Sequence, residues 1–257
     1  MRVVIKIGTS TLAYHTGHPN IRHIENFCKV VSDIKNSGYE IIIVSSGAVS
    51  MGRGQAGIER AGDSLSMKQA LAAIGQCELM YTYDKYFGEY NHNVGQLLLT
   101  ASNFSDPQQH KNLISTMNKL LELKAIPIIN ENDTVATQEL KIGDNDTLAA
   151  RVATSINADL LILLTDIDGL FTADPNKDPD AKLLSQVDEI TPDIEAVAGG
   201  ASSKVGTGGM ATKIEAAKIA TAEGVDMVIA NGRNPDVLYD ILEGKQVGTK
   251  FTGVKKK

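Results

Sequence analysis

The sequence has few cysteines, no long hydrophobic run and no excess of positive charge, and each absence excludes a class of protein. Two cysteines occur in 257 residues. Cys28 and Cys77 are far apart in apolar helical patterns, which predicts two buried free thiols. The most apolar stretch, residues 158–164, is too short to span a bilayer. The formal net charge of −6 argues against a general binder of nucleic acid.

The chain also lacks the side-chain arrangements of two enzyme classes. No Ser–His or Cys–His arrangement indicates a nucleophilic hydrolase. His15, His18 and His23 are close in sequence, but no carboxylate or thiol completes a set of metal ligands, so no metal-binding residue is predicted. Because the first strand begins almost at residue 1, with no basic segment followed by an apolar one, we expect a cytosolic protein.

Apolar strands alternate with amphipathic helices along the chain. Residues 40–45 and 160–165 each contain a continuous aliphatic run, which is typical of a strand buried on both faces. Residues 66–86 predict a long helix, and its expected inner side carries Met67, Ala70, Leu71, Ile74 and Leu79. Strands that alternate with helices indicate βαβ units. The predicted fold class is therefore α/β, with an open, mostly parallel sheet covered by helices on both faces.

Polar, glycine-containing segments follow four of the predicted strands. In open α/β sheets, ligands bind at the carboxyl ends of the strands. Any one of these segments could be only a turn, but four of them together indicate a binding site. They are residues 6–10, 45–48, 130–133 and 165–166.

Lys6 lies in a strand of valines and isoleucines, where an unpaired ammonium group would be costly. It could face solvent from an edge strand. Alternatively, it could bind phosphate, and Gly8 favours this hypothesis because glycine lets the backbone approach a ligand closely.

Residues 206–213 form a glycine-rich segment that leads into a predicted helix near Ala211. Helix N-termini attract anions through free N–H groups and the helix dipole. Lys213 lies in the first turn, where its charge is unfavourable unless an anion is bound. The segment does not fit the Walker pattern and fits a dinucleotide fingerprint poorly. A surface loop and a nucleotide-binding loop therefore both remain open.

Acidic residues precede a further predicted helix at residues 143–146. Asp and Asn suit a helix cap, which is one interpretation. The other is that these side chains bind an amino group or hold lysines in place, with Asp133 as a further acid. Two lysines, glycine-rich N–H groups and orienting carboxylates would suffice for phosphoryl transfer, which depends on positioning and charge neutralisation.

Seven motifs in this order resemble the amino acid kinase family, from Arg2 to about Thr249. Kinases of acetylglutamate, aspartate, carbamate and UMP share the lysine and the Thr-Asp pair. The combination of Ser-Gly-Ala, Asn-Glu-Asn-Asp and Gly-Asp-Asn-Asp resembles the branch that acts on glutamate. The motifs are residues 4–10, 44–48, 129–133, 143–146, 164–166, 169–175 and 206–213.

The resemblance implies a three-layer α/β/α sandwich, and we expect a single domain over residues 1–257. The sequence departs from the family's longer form, which carries a C-terminal PUA domain, and no PUA domain is expected here. Residues up to about 157 would form the acyl-substrate half, and residues from about 158 the nucleotide half. The implied reaction converts ATP and L-glutamate into ADP and L-glutamyl 5-phosphate, the first step of proline biosynthesis, with Mg²⁺ bridging phosphates. Proline is a candidate feedback inhibitor, and a homo-oligomer is expected. Alternatives are a sister kinase with another acid acceptor and a non-catalytic nucleotide-binding regulator.

The resemblance also implies the site residues. Lys6 and Lys213 would neutralise the phosphoryl group in flight, and Asp146 would hold both lysines in place. Glutamate would bind to Ser46, Gly47, Ala48, Asp133 and Asn145. The nucleotide would bind to Gly8, Thr165, Asp166, Thr207, Gly208, Gly209, Met210, Ala211, Thr212 and Lys213. No direct metal ligand is assigned.

Overall fold

The structure, a computed structural model, describes residues 1–59, 64–136, 144–175, 177–200 and 209–254. Its strands are β1 (Arg2–Ile7), β2 (Glu40–Ser45), β3 (Val94–Leu99), β4 (Ile126–Glu131), β5 (Leu160–Thr165), β6 (Gln186–Val187), β7 (Asp226–Asn231) and β8 (Thr249–Phe251). Its helices are α1 (Thr9–Leu12), α2 (Ile21–Asn36), α3 (Ala48–Ala56), α4 (Leu65–Gly88), α5 (Ser102–Ser105), α6 (Pro107–Glu122), α7 (Asn145–Ser155), α8 (Pro192–Gly200), α9 (Met210–Ala222) and α10 (Val237–Leu242).

The strands form a mostly parallel sheet in the order β3-β4-β2-β1-β5-β7-β8-β6. β4 pairs in parallel with both β2 and β3, and β5 pairs in parallel with β7, with Leu160 opposite Asp226 and Thr165 opposite Asn231. β8 is antiparallel to β7 and parallel to β6. The predicted fold class, a mostly parallel α/β sheet with flanking helices, is confirmed.

The chain divides into two compact units. The contiguous unit comprises residues 7–142, and the discontinuous unit comprises residues 1–6 and 143–257. The single domain with an internal boundary near residue 157 stays a prediction. Within the described ranges, no helix has both the length and the hydropathy that a bilayer span requires.

Two helices of the contiguous unit, α3 and α4, meet through glycine. A Cβ added to Gly52 would lie 1.9 Å from the carbonyl oxygen of Leu71, and one added to Gly75 would lie 1.8 Å from that of Ala48. Only a residue without a side chain fits at either position, so the two backbones are in direct contact. α3 was not predicted from the sequence, since glycines weaken a helical pattern.

The predicted inner face of α4 is wrong for three of its five residues. Leu71 and Leu79 are buried, but Met67 and Ile74 are 38% and 42% exposed, and Ala70 is exposed too. The apolar residues of α4 are distributed around its whole circumference, so their spacing does not indicate which face is buried. The close contact of Gly75 with α3 determines the buried face, because it turns that side of α4 toward α3.

The two cysteines differ, in contrast to the prediction that both are buried. Cys28 is buried within α2, and burial raises the pKa of its thiol well above the ordinary value. Cys77 is exposed on α4. The exposure of Cys77 follows from the orientation of α4 described above.

The discontinuous unit has its core around β5, whose six residues are all buried. α7 contributes the buried Leu148, Ala149 and Val152. The start of β1 is attached to this core, since the Arg2 backbone N–H donates to the Asp159 carboxylate at 2.6 Å. The Arg2 guanidinium donates to the carbonyl oxygen of Ile156, also at 2.6 Å. These contacts fix β1, and therefore Lys6, within this unit.

Candidate active site

A buried carboxylate joins two lysines that are 207 positions apart in the sequence. The Nζ of Lys6 lies 2.7 Å from Oδ1 of Asp146, and the Nζ of Lys213 lies 3.1 Å from Oδ2. The exposed fractions of the three side chains are 11% for Lys6, 7% for Lys213 and 1% for Asp146. β1 is an interior strand of the sheet. The edge-strand interpretation of Lys6 is therefore wrong.

The start of α7 places Asp146 in this position. Asp144 caps the helix, and its Oδ1 accepts hydrogen bonds from the N–H groups of Asp146 and Thr147 at 2.7 and 2.9 Å. Because the neighbouring acid serves as the cap, the Asp146 carboxylate is available to the lysines. Oδ2 of Asp146 also accepts a hydrogen bond from the hydroxyl of Thr212 at 3.2 Å.

Opposing effects determine the pKa of Asp146. Burial raises this pKa, but the charges of Lys6 and Lys213 and their hydrogen bonds together outweigh burial, so the pKa lies below its usual value. By contrast, burial is the main reason that the pKa of Asp144 is raised. Asp146 is therefore ionised at neutral pH. Two ammonium groups on one carboxylate leave a net charge of about +1 for an anionic ligand.

A cavity of about 420 Å³ lies in the discontinuous unit, and Lys213 is part of its wall. This volume suits a small organic ligand or nucleotide. Thr165 and Asp166, at the end of β5, line the cavity together with Gly209 and Met210 at the start of α9. The hydroxyl of Thr165 donates to Oδ1 of Asp166 at 3.1 Å. The cavity therefore opens at the carboxyl end of a parallel strand, beside a helix N-terminus.

In the contiguous unit, a tight turn joins β2 to α3. The N–H of Ser46 donates to the carbonyl oxygen of Ile7 at 3.1 Å, and Gly47 adopts a φ of +108°, which favours glycine. α3 begins at Ala48, and within the described residues no side chain caps it. The first N–H groups of α3 can therefore bind an anion.

Residues 1–231 match the amino acid kinase family. The chain belongs to the amino acid kinase family. The glutamate 5-kinase of Clostridium perfringens (strain 13 / Type A) is 50% identical over 258 residues, which cover 99% of this chain and 96% of that protein. The glutamate 5-kinase of Listeria innocua serovar 6a is 49% identical and covers 99% and 94%, respectively.

Solved structures show the same fold at much lower identity. The carbamate kinase of Giardia lamblia, bound to AMP-PNP, superposes with a TM-score of 0.71 at 17% identity and covers 98% of each chain. At this identity, the likeness concerns the fold alone. Because the chain belongs to a kinase family, ATP is its co-substrate.

The predicted nucleotide residues of this amino acid kinase do not all line the cavity. Thr165, Asp166, Gly209, Met210 and Lys213 line it. Ala211 and Thr212 lie in the first turn of α9, where Ala211 is exposed and Thr212 contacts Asp146. Gly8 precedes α1 in the contiguous unit. Thr207 and Gly208 lie outside the described residues.

The predicted glutamate residues occur in both units. Ser46, Gly47 and Ala48 form the turn before and the first residue of α3, and Asp133 follows β4, all within the contiguous unit. Asn145 is the first residue of α7 in the discontinuous unit.

Several residues that line the cavity of this amino acid kinase were not predicted, and Asn231 is one of them. Asn231 ends β7, and its Nδ2 donates to Oδ1 of Asp168 at 2.7 Å, while its Oδ1 accepts from the N–H of Arg233 at 3.0 Å. The signal that could have identified Asn231 is the one used for the other strands, a polar residue at a carboxyl end. From the sequence, a strand is predicted over residues 226–230, which ends one residue before Asn231.

Proposed function

We propose that this amino acid kinase transfers the γ-phosphoryl group of ATP to the side-chain carboxylate of L-glutamate, with L-glutamyl 5-phosphate and ADP as products. The observation that carries the proposal is the buried contact of Lys6 and Lys213 with Asp146, in which Lys213 also lines the cavity. The choice of glutamate is supported by relatives called glutamate 5-kinase that are about half identical over nearly the whole chain. This reaction is the first step of proline biosynthesis.

The substrate supplies the nucleophile. A carboxylate oxygen of glutamate forms a bond to the γ-phosphorus, while the bond from that phosphorus to the β–γ bridging oxygen breaks and ADP leaves with the electron pair. Because the carboxylate is already ionised at neutral pH, no general base is required. The enzyme contributes positioning and charge.

The two lysines would neutralise the charge of the phosphoryl group in the transition state. Ammonium groups that are already in place stabilise developing charge without reorganisation during the reaction. Asp146 acts through them as a positioning residue, since its two oxygens hold one ammonium group each. Thr212 restrains the same carboxylate through its hydroxyl.

We propose that the cavity at the end of β5 holds the nucleotide, with Thr165, Asp166 and the start of α9 around it. Magnesium would arrive as part of the substrate MgATP. Magnesium needs few protein ligands when phosphates supply the others.

We propose that glutamate binds to Ser46, Gly47, Ala48, Asp133 and Asn145. The free N–H groups at the start of α3 suit a carboxylate, and the carboxylate of Asp133 suits an ammonium group. Feedback inhibition by proline, assembly into a homo-oligomer and a cytosolic location stay predictions.

A coupled assay of ADP release tests the proposal. The purified protein is incubated with MgATP and, in turn, glutamate, acetylglutamate, aspartate, carbamate and UMP. We expect turnover with glutamate that depends on magnesium, and an Asp146→Asn preparation controls for contaminating kinases. Strong turnover with another acceptor and none with glutamate would favour a sister kinase. No turnover with any acceptor, despite nucleotide binding, would favour a regulator.

A further inference from the structure

A buried glutamine of the contiguous unit uses only the oxygen of its side-chain amide in contacts with the described residues. Gln76 lies on α4 and is 9% exposed. Its Oε1 accepts a hydrogen bond from Nδ2 of Asn130 at 3.0 Å, and Oδ1 of Asn130 accepts one from the N–H of Glu131 at 2.9 Å. In the part of the chain that the structure describes, Nε2 of Gln76 has no hydrogen-bond partner.

The hydrogen bonds determine which way the carboxamide of Gln76 is turned. Because Oδ1 of Asn130 is used by a backbone N–H, its Nδ2 must face Gln76. Flipping the carboxamide of Gln76 would bring two NH₂ groups together. Nε2 therefore faces away from Asn130 and is a buried donor for which the described residues supply no acceptor. A group of this kind is expensive to leave unpaired and calls for a partner.

The surroundings of Gln76 indicate where that partner binds. The preceding residue, Gly75, packs against the carbonyl oxygen of Ala48, so this turn of α4 lies against the first turn of α3. Asn130 is the penultimate residue of β4, three positions before Asp133. Gln76 thus joins the two segments of the contiguous unit that we assign to the amino-acid acceptor.

We propose that Gln76 is a further substrate-binding residue, whose Nε2 donates a hydrogen bond to a carboxylate oxygen of the acceptor. The amide is a donor whose own oxygen is already used, so it favours a carboxylate over an ammonium group. The uncapped start of α3 beside it favours the same negative charge. This inference rests on the proposed function, because it concerns the same acceptor.

Steady-state kinetics of Gln76→Met test the inference, since methionine has a similar length and no donor. We expect the KM for L-glutamate to rise about 10- to 100-fold, because a hydrogen bond to a charged group is lost. The KM for ATP should stay within twofold. The rise in Tm on adding L-glutamate alone should become smaller than that of the wild type.

Thr82→Val is the matched control. Thr82 lies on the same helix, is 6% exposed, and donates its hydroxyl to the carbonyl oxygen of Glu78. The control loses a buried hydrogen bond within the helix, so its Tm should fall while its KM for glutamate stays unchanged. This comparison separates binding from stability.

Gln76→Glu provides a second, nearly isosteric variant in case the methionine variant does not fold. The ionised side chain of the Gln76→Glu variant repels the substrate carboxylate. At pH 8, the KM of this variant for L-glutamate should therefore exceed the KM of Gln76→Met. The KM should then fall toward low pH, since a protonated carboxyl group donates a hydrogen bond again. If both variants retain the wild-type KM and the wild-type response of Tm to glutamate, the inference is overturned. If the wild-type protein itself does not use glutamate, the proposed function fails instead.

Discussion

Replacing Asp146 with asparagine removes the carboxylate that both lysines contact and keeps the volume of the side chain. The ammonium groups of Lys6 and Lys213 then lose their counter-charge, although these two side chains are only 11% and 7% exposed. Removing one partner of a buried ion pair costs about 3–5 kcal/mol. For a chain of this size, each kcal/mol lowers Tm by roughly 2–4 °C. We therefore expect Asp146→Asn to lower Tm by about 6–20 °C.

The same substitution should reduce kcat by about 100-fold or more, because the lysines no longer have fixed positions around the phosphoryl group. Thermal unfolding and the coupled assay of ADP release measure the two effects. Asp144→Asn is the matched control for stability, since asparagine caps a helix about as well as aspartate and Asp144 caps α7. An Asp146→Asn variant with Tm within 2 °C and kcat within threefold of the wild type would refute this reasoning.

Two further predictions concern the same cluster. Lys213→Ala should lower kcat by roughly two orders of magnitude or more, because an ammonium group that acts on the transition state is lost, and a near-normal kcat would exclude Lys213 from catalysis. The depressed pKa of Asp146 in the folded state also predicts a dependence on pH. Its contribution to stability is complete above the unfolded-state pKa of about 3.9 and is lost as the pH falls through the lower folded-state pKa. The difference in the free energy of unfolding between wild type and Asp146→Asn should therefore decrease below about pH 4, and a difference that is unchanged down to pH 2 would contradict the assignment.

Much of the fold could be predicted because several strands are uninterrupted aliphatic runs. The bounds of β2 and β5 agree with those predicted from such runs. The site was harder to predict from residues alone. Lys6 in an apolar strand indicates that a counter-charge is needed, but local patterns do not show whether Asp133, Asp144 or Asp146 supplies it. Which of them meets Lys6 depends on the cap of α7 and on the position of α9, which no local pattern contains.

The orientation of α4 shows a second limit of sequence patterns. Its apolar residues are distributed around the whole helix, so the spacing of Met67 and Ile74 indicated a face that is in fact exposed. A glycine, which hydrophobic patterns do not count, decides the orientation by allowing α3 to approach. Gln76 was not predicted either, because a polar residue on a helix is expected at the surface.

The division of the chain has a consequence for how the protein folds during synthesis. The contiguous unit is complete once residue 142 has left the ribosome, whereas β1 belongs to a unit whose remaining residues begin at 143. Lys6 can therefore pair with Asp146 only after residue 146 has been synthesised, and the cluster is complete only once Lys213 follows. Contacts over such sequence separations form slowly. The cluster of Lys6, Asp146 and Lys213 should thus assemble after the region that we assign to the amino-acid acceptor has formed.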